Sequence, residues 1–187
     1  KIVRWAIPVS LLVASELVGV AGARAWKHVG EELGAALRKW YLKGGEQNTE
    51  CAVAAMLATG SADFQDLLWP LLESNDRNAR FGTYRAWSPF PFSCLGPEWR
   101  SRFLKWDSER QIELISEFSW RPSREQLVLA RELIQMPEAG AVKLVCFDLL
   151  LHGRAFETIV ALSQKYSVAE WPNGFSEHIL ARLPMHC

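Results

Sequence analysis

Apolar residues in this chain recur at spacings of three and four, the period of one face of an α-helix, and hardly anywhere at the spacing of two that a strand requires. Leu33, Ala36, Leu37, Trp40 and Tyr41 form one such stripe, and Gly44-Gly45 predicts its end. Phe64, Leu67, Leu68, Leu71 and Leu72 form a second. Ile112, Ile115 and Phe118 follow Ser108, with Gln111 three residues beyond it, the pattern of a capping box. Ser123 and Gln126 repeat that pattern ahead of Leu127, Ala130, Leu133 and Ile134. Phe156, Ile159, Val160 and Ser163 give a further face. Residues 141–151 are apolar almost all round, which predicts a helix enclosed by others and closed by Gly153. The chain therefore reads as all-α: about nine short helices joined by short turns, a spacing that suits antiparallel pairs. Trp40, Leu68, Leu71, Leu127, Leu133, Val145, Phe147, Leu149 and Ile159 are the expected core.

One stretch breaks the rhythm. Residues 88–97, Ser-Pro-Phe-Pro-Phe-Ser-Cys-Leu-Gly-Pro, hold three prolines and a glycine, and an irregular loop is expected there. The 187 residues otherwise predict a single helical domain over 1–187. Its first residue is Lys1, not Met, which reads as a trimmed chain or a fragment of a longer one. Residues 1–25 imitate a targeting segment, with Lys1 and Arg4 before an apolar stretch and Ala21-Gly22-Ala23 after it. Glu16 interrupts that stretch, so a buried helix after Pro8 is expected and no membrane span. The four cysteines, at 51, 94, 146 and 187, form no close pair. Cys51 and Cys146 fall in apolar helical patterns as small hydrophobes, and a reducing, cytoplasmic setting is expected.

The order Leu71-Leu72, Asp76, Ala79-Arg80, Thr83, Ala86-Trp87, behind a first helix containing Trp69-Pro70, resembles the HEAT-repeat family. In that family a first helix, often kinked by proline, precedes an Asp/Val-Arg signature that ties neighbouring turns. The resemblance implies a short α-solenoid of stacked antiparallel helix pairs over about 31–183, with Asp76 and Arg80 in structural roles. Second helices would then begin near Thr49, Asp76, Ser108, Glu138 and Asn173. Val142-Lys143 departs from the signature, and a closed helical bundle is the competing arrangement. The run Ser119-Trp120-Arg121-Pro122-Ser123-Arg124-Glu125-Gln126 looks like the C-terminal repeats of large bacterial STAND-type NTPases, which act as sensor arms. That likeness implies a regulatory arm and no nucleotide site within this chain.

Catalytic and cofactor patterns are missing from the sequence. There is no phosphate-binding glycine loop, no Gly-x-Ser-x-Gly and no pair of histidines at helical metal-ligand spacing. His28 with Glu31 and Glu32 reads as an exposed polar turn, and no cofactor or metal is expected. Arg and Lys number 21 and balance 21 acids, which argues against bulk nucleic-acid binding. Locally the balance shifts: residues 77–110 carry seven Arg or Lys against three acids, interleaved with eight aromatics. That composition suits an interface hot spot. It also suits the grip of HEAT-like proteins on single-stranded or flipped bases, which is the competing function. The expected function is a non-catalytic protein-recognition module whose partner is another protein or the rest of its own chain. Phe90, Phe92, Trp99 and Arg102 are its expected anchors, because a proline-fixed loop lowers the ordering cost of binding; the competing role of the loop is to cover the core as a structural plug.

Overall fold

The computed structural model describes residues 1–118, 122–136 and 140–165, and the described residues are helical with no strand. The helices are α1 (Ile2–Ala6), α2 (Leu11–Ala21), α3 (Ala23–Leu42), α4 (Glu46–Ala58), α5 (Gln65–Leu72), α6 (Arg77–Trp87), α7 (Trp99–Phe103), α8 (Ser108–Glu117), α9 (Arg124–Ile134), α10 (Val142–His152) and α11 (Phe156–Lys165). Short 3-10 turns stand at Ala62–Phe64 and Phe92–Leu95. The helix starts expected near Glu138 and Asn173, residues 119–121 of the STAND-like run and the side chain of Ser163 lie outside the described residues. The chain divides into two compact units, Lys1–Arg102 and Phe103–Cys187.

In the first unit, α2, α3 and α4 pack on one another, α6 packs on α4 and α5, and α1 lies on α2. Small residues set the α2–α4 approach. Ala14 and Ser15 of α2 and Ala52 and Ala55 of α4 are fully buried, and a Cβ on Gly19 would run into the carbonyl oxygen of Ala58. Positive φ at Gly44 and Gly45 ends α3 where the sequence placed the stop. Arg38 of α3 clamps the turn before α5. It gives two hydrogen bonds to the Asp66 carboxylate, at 2.6 and 2.9 Å, and one to the Asp63 carbonyl. Trp26 Nε1 donates to Asp63 from the same helix, and its ring meets Phe64 edge-on.

In the second unit, α10 packs against α8, α9 and α11. Its all-round apolar sequence is thus enclosed, with Cys146, Phe147, Leu149, Leu150 and Leu151 buried. The capping box of Ser123 and Gln126 is present in both directions. That of Ser108 is shifted by one residue: Asp107 is the cap, accepting from the Arg110 amide, and Gln111 donates instead to the Phe103 carbonyl. Gly153 closes α10 at φ −76°, outside the left-handed region, which falls to Arg154 at φ 53°. Gly153 is glycine for space, because a Cβ there would press on Leu127 and Pro122.

Leu68, Leu133, Phe147 and Leu149 are buried as expected, whereas Trp40, Leu71, Leu127, Val145 and Ile159 are half-buried on stripe edges. Cys51 is exposed, contrary to its reading as a small core hydrophobe.

Candidate functional site

Residues 88–97 fold back onto their own unit. Pro91 precedes the 3-10 turn at Phe92–Leu95, Cys94 Sγ donates to the Pro91 carbonyl at 2.8 Å, and Gly96 turns the chain at φ +80°. Phe92, Cys94 and Leu95 are buried. Phe92 lies between two indoles: Trp87 meets it edge-on at 5.2 Å, and Trp99 stacks on it at 4.1 Å with planes 14° apart. Of the two roles open to the loop, Phe92 takes the covering one: its ring is 2% exposed. A proline-rich segment with two phenylalanines can cover its own core as well as meet a partner, and here the nearby indoles fill the role of partner.

Phe90 and Trp99 are half-buried. Arg102 is engaged on two sides. Its guanidinium lies 4.1 Å from the Trp69 ring centre, and Nε donates to Glu73 Oε1 at 3.0 Å while the other nitrogen pairs with Oε2. Arg102 therefore ties α7 to α5 through a ring and a carboxylate.

Asp76 caps α6 by accepting from the Asn78 amide at 3.0 Å. Arg80 is buried and donates to the Ser74 carbonyl at 2.7 Å, across the turn between α5 and α6. Tyr84 reaches the same junction, donating to the Leu72 carbonyl. Arg110 pairs with Asp107 at 3.6 Å. Three cations of the basic stretch, Arg80, Arg102 and Arg110, are thus held by their own chain.

His28 uses its backbone carbonyl to accept from Arg4, which also pairs with Glu32 at 3.6 Å, so this polar turn docks α1 on α3. Cys94 and Cys146 are buried free thiols, and burial pushes the Cys146 thiol up, away from the reactive thiolate. Among the described residues, no group of three His, Cys, Asp or Glu side chains converges.

The apolar surface left open in the first unit lies elsewhere, in a segment read from sequence as a buried helix. Ile2 and Trp5 of α1, Val9, and Leu12, Val13 and Val20 of α2 are all exposed, Trp5 at 72% and Val20 at 91%. Beside them, residues 7–12 and α3 border a groove of about 610 Å³. Val9, Leu12 and Trp40 give it apolar walls, and Lys39 and Lys43 stand on its α3 side. Neither lysine has an ion-pair partner among the described residues. The groove can hold an apolar side chain next to an anionic one. Sequence reading missed it because its residues belong to two separate stretches, 7–12 and α3, and only the open outer side of α2 distinguishes them from core. A signal was present: α2 carries Leu, Val and Ala on every side with Glu16 as its single charge.

No family model, curated protein or solved structure matches this chain.

Proposed function

We propose that this chain is a non-catalytic protein-recognition module. The observation that carries the reading is the lysine-flanked apolar groove of residues 7–12 and α3, set among exposed Trp5, Val9 and Val20. Large apolar side chains grouped on a surface and bordered by unpaired charge are a feature of interaction sites. In this reading the helices form a short HEAT-like solenoid, with Asp76 and Arg80 holding the α5–α6 junction. The partner is another protein or a further part of the same chain, as in the sensor arm of a STAND-type NTPase. Buried free Cys94 and Cys146 accord with a reducing, cytoplasmic setting. The loop at 88–97 is assigned to the scaffold, and Phe90 is left at the edge of any contact surface.

Selection of displayed random peptides on the immobilised chain tests this reading. The expected winners combine apolar residues with Asp or Glu and lose binding to a Leu12→Ser/Lys39→Glu variant. Enrichment no better than on a denatured control, or winners indifferent to that variant, would overturn it.

A further inference from the structure

We infer that the open side of α2 is a contact between two copies of this chain, related by a two-fold axis with their α2 helices antiparallel. The inference rests on the protein-recognition reading and names its partner.

The first observation is an unfinished burial. Helix α2 is apolar all round, a composition found where a helix is enclosed. It is enclosed on one side only: Ala14, Ser15 and Val18 are buried, while Leu12, Val13 and Val20 are 38%, 47% and 91% exposed. The second is the placement of charge. Glu16 is the one charge on α2, it is exposed, and it has no ion-pair partner among the described residues. Lys39 and Lys43, also unpaired, flank the groove that begins at Leu12. The chain thus carries an unmatched carboxylate and two unmatched ammonium groups around one apolar face.

The third observation is the spacing. Val13, Glu16 and Val20 recur at i, i+3 and i+7, on one stripe. Turning a second α2 about a point midway between Val13 and Glu16 sets Glu16 of one copy level with Val13 of the other. That is about one residue, ~1.5 Å of rise, from Leu12. Glu16 then stands at the end of the groove that bears the other copy's Lys39 and Lys43, within the reach of their flexible stems. The symmetry repeats the pair on the opposite side, as a two-fold contact must. Leu12 and Val13 lie close to the axis, and Val20 of each copy comes level with Val9 of the other. An anionic bilayer fits this face less well, because Glu16 would enter the contact against charge of its own sign.

The test is sedimentation velocity on the full chain over a range of concentrations. The wild type is expected to form a dimer. Glu16→Lys alone and Lys39→Glu/Lys43→Glu alone are each expected to weaken it about tenfold or more by placing like charges together. An equimolar mixture of those two variants is expected to restore the dimer, since every contact then pairs opposite charges. Val20→Ser is expected to weaken it without altering charge. All substituted positions are exposed, and an unchanged circular dichroism spectrum checks their folding. A monomer at every concentration, variants that dimerise like the wild type, or a mixture that stays monomeric would overturn the inference. So would a monomeric wild type that binds phosphatidylserine vesicles through Val13 and Val20. If the chain is monomeric yet still selects acidic-apolar peptides, the dimer fails and the recognition reading stands. If it selects none, both fail.

Discussion

Single residues decide several of the close approaches in this molecule, and two glycines separate a rigid obstacle from a yielding one. A methyl group at Gly19 would meet the Ala58 carbonyl oxygen, which belongs to the α4 backbone. A methyl group at Gly153 would meet the ends of the Leu127 and Pro122 side chains. Gly19→Ala is therefore expected to cost about 1–3 kcal/mol by forcing α2 from α4. Gly153→Ala should cost clearly less, because the Leu127 methyls can turn away. Urea denaturation of both variants checks the order, and a milder effect at Gly19 would mean that α2 is not held against α4. A second residue-scale effect involves charge. The hydrogen bonds from Arg38, with its positive charge, hold the Asp66 carboxyl below its ordinary value of 3.8. A lowered folded-state value stabilises the fold above the unfolded value, and the contribution disappears as pH falls through the depressed one. Both side chains are substantially exposed, so solvent screening keeps the effect small. Stability of Asp66→Asn relative to wild type is expected to be lower at neutral pH, with the gap closing below pH 3.8. A gap independent of pH would show that Arg38 does not distinguish the two protonation states of Asp66.

At the scale of elements, the segment at 88–97 behaves as a plug whose ring is counted in the core. Phe92→Ala removes a ring enclosed by Trp87 and Trp99, and a loss of about 3–5 kcal/mol is expected, as for other buried aromatics. Leu149→Ala in the enclosed helix α10 is expected to cost about 2–5 kcal/mol. Thermal or urea melts check both, and a Phe92 variant as stable as wild type would return that ring to the surface. These cases also show what sequence makes legible. Periodicity reveals which helices exist and which side of each is apolar, because both follow from neighbours three and four residues away. Helix α10, the Ser123 box and the stop at Gly44-Gly45 are of this kind. Periodicity does not reveal whether an apolar side is covered. The pattern of 88–97 leaves Phe92 open to either role, anchor or cover, and only Trp87 and Trp99 decide it; the pattern of α2 predicts a buried helix, although Val13 and Val20 face outward. In each case the decisive neighbours lie on other elements, and no spacing within the segment records them. The cap of α8 moved from Ser108 to Asp107 for a more local reason: both residues can accept from the first-turn amides, and only backbone geometry selects between them.

For the whole molecule, the competing nucleic-acid reading can be judged by counting the charge available to phosphate. The chain has no net charge, so any such binding must come from a local cluster. The basic stretch at 77–110 supplied that cluster on paper. In the fold, Arg80 is buried against the Ser74 carbonyl, Arg102 is neutralised by Glu73 over Trp69, and Arg110 is paired with Asp107. Aromatic stacking is equally committed, since Trp99 is stacked on Phe92 and Trp87 closes the other side. A protein that binds nucleic acid releases about one counterion for each phosphate it neutralises, and its affinity falls steeply with salt. With Arg80, Arg102 and Arg110 held in this way and Arg77 lying over the Phe81 ring, few phosphates can be neutralised, and the salt slope should be shallow. The expected outcome is elution from heparin near the start of a salt gradient, with no retarded band for single-stranded DNA at physiological salt. Retention to high salt, lost in an Arg77→Gln/Arg85→Gln/Arg100→Gln variant that still folds, would show that the outward-facing cations of this stretch suffice. The groove beside α3 would then have to yield its place as the principal binding surface.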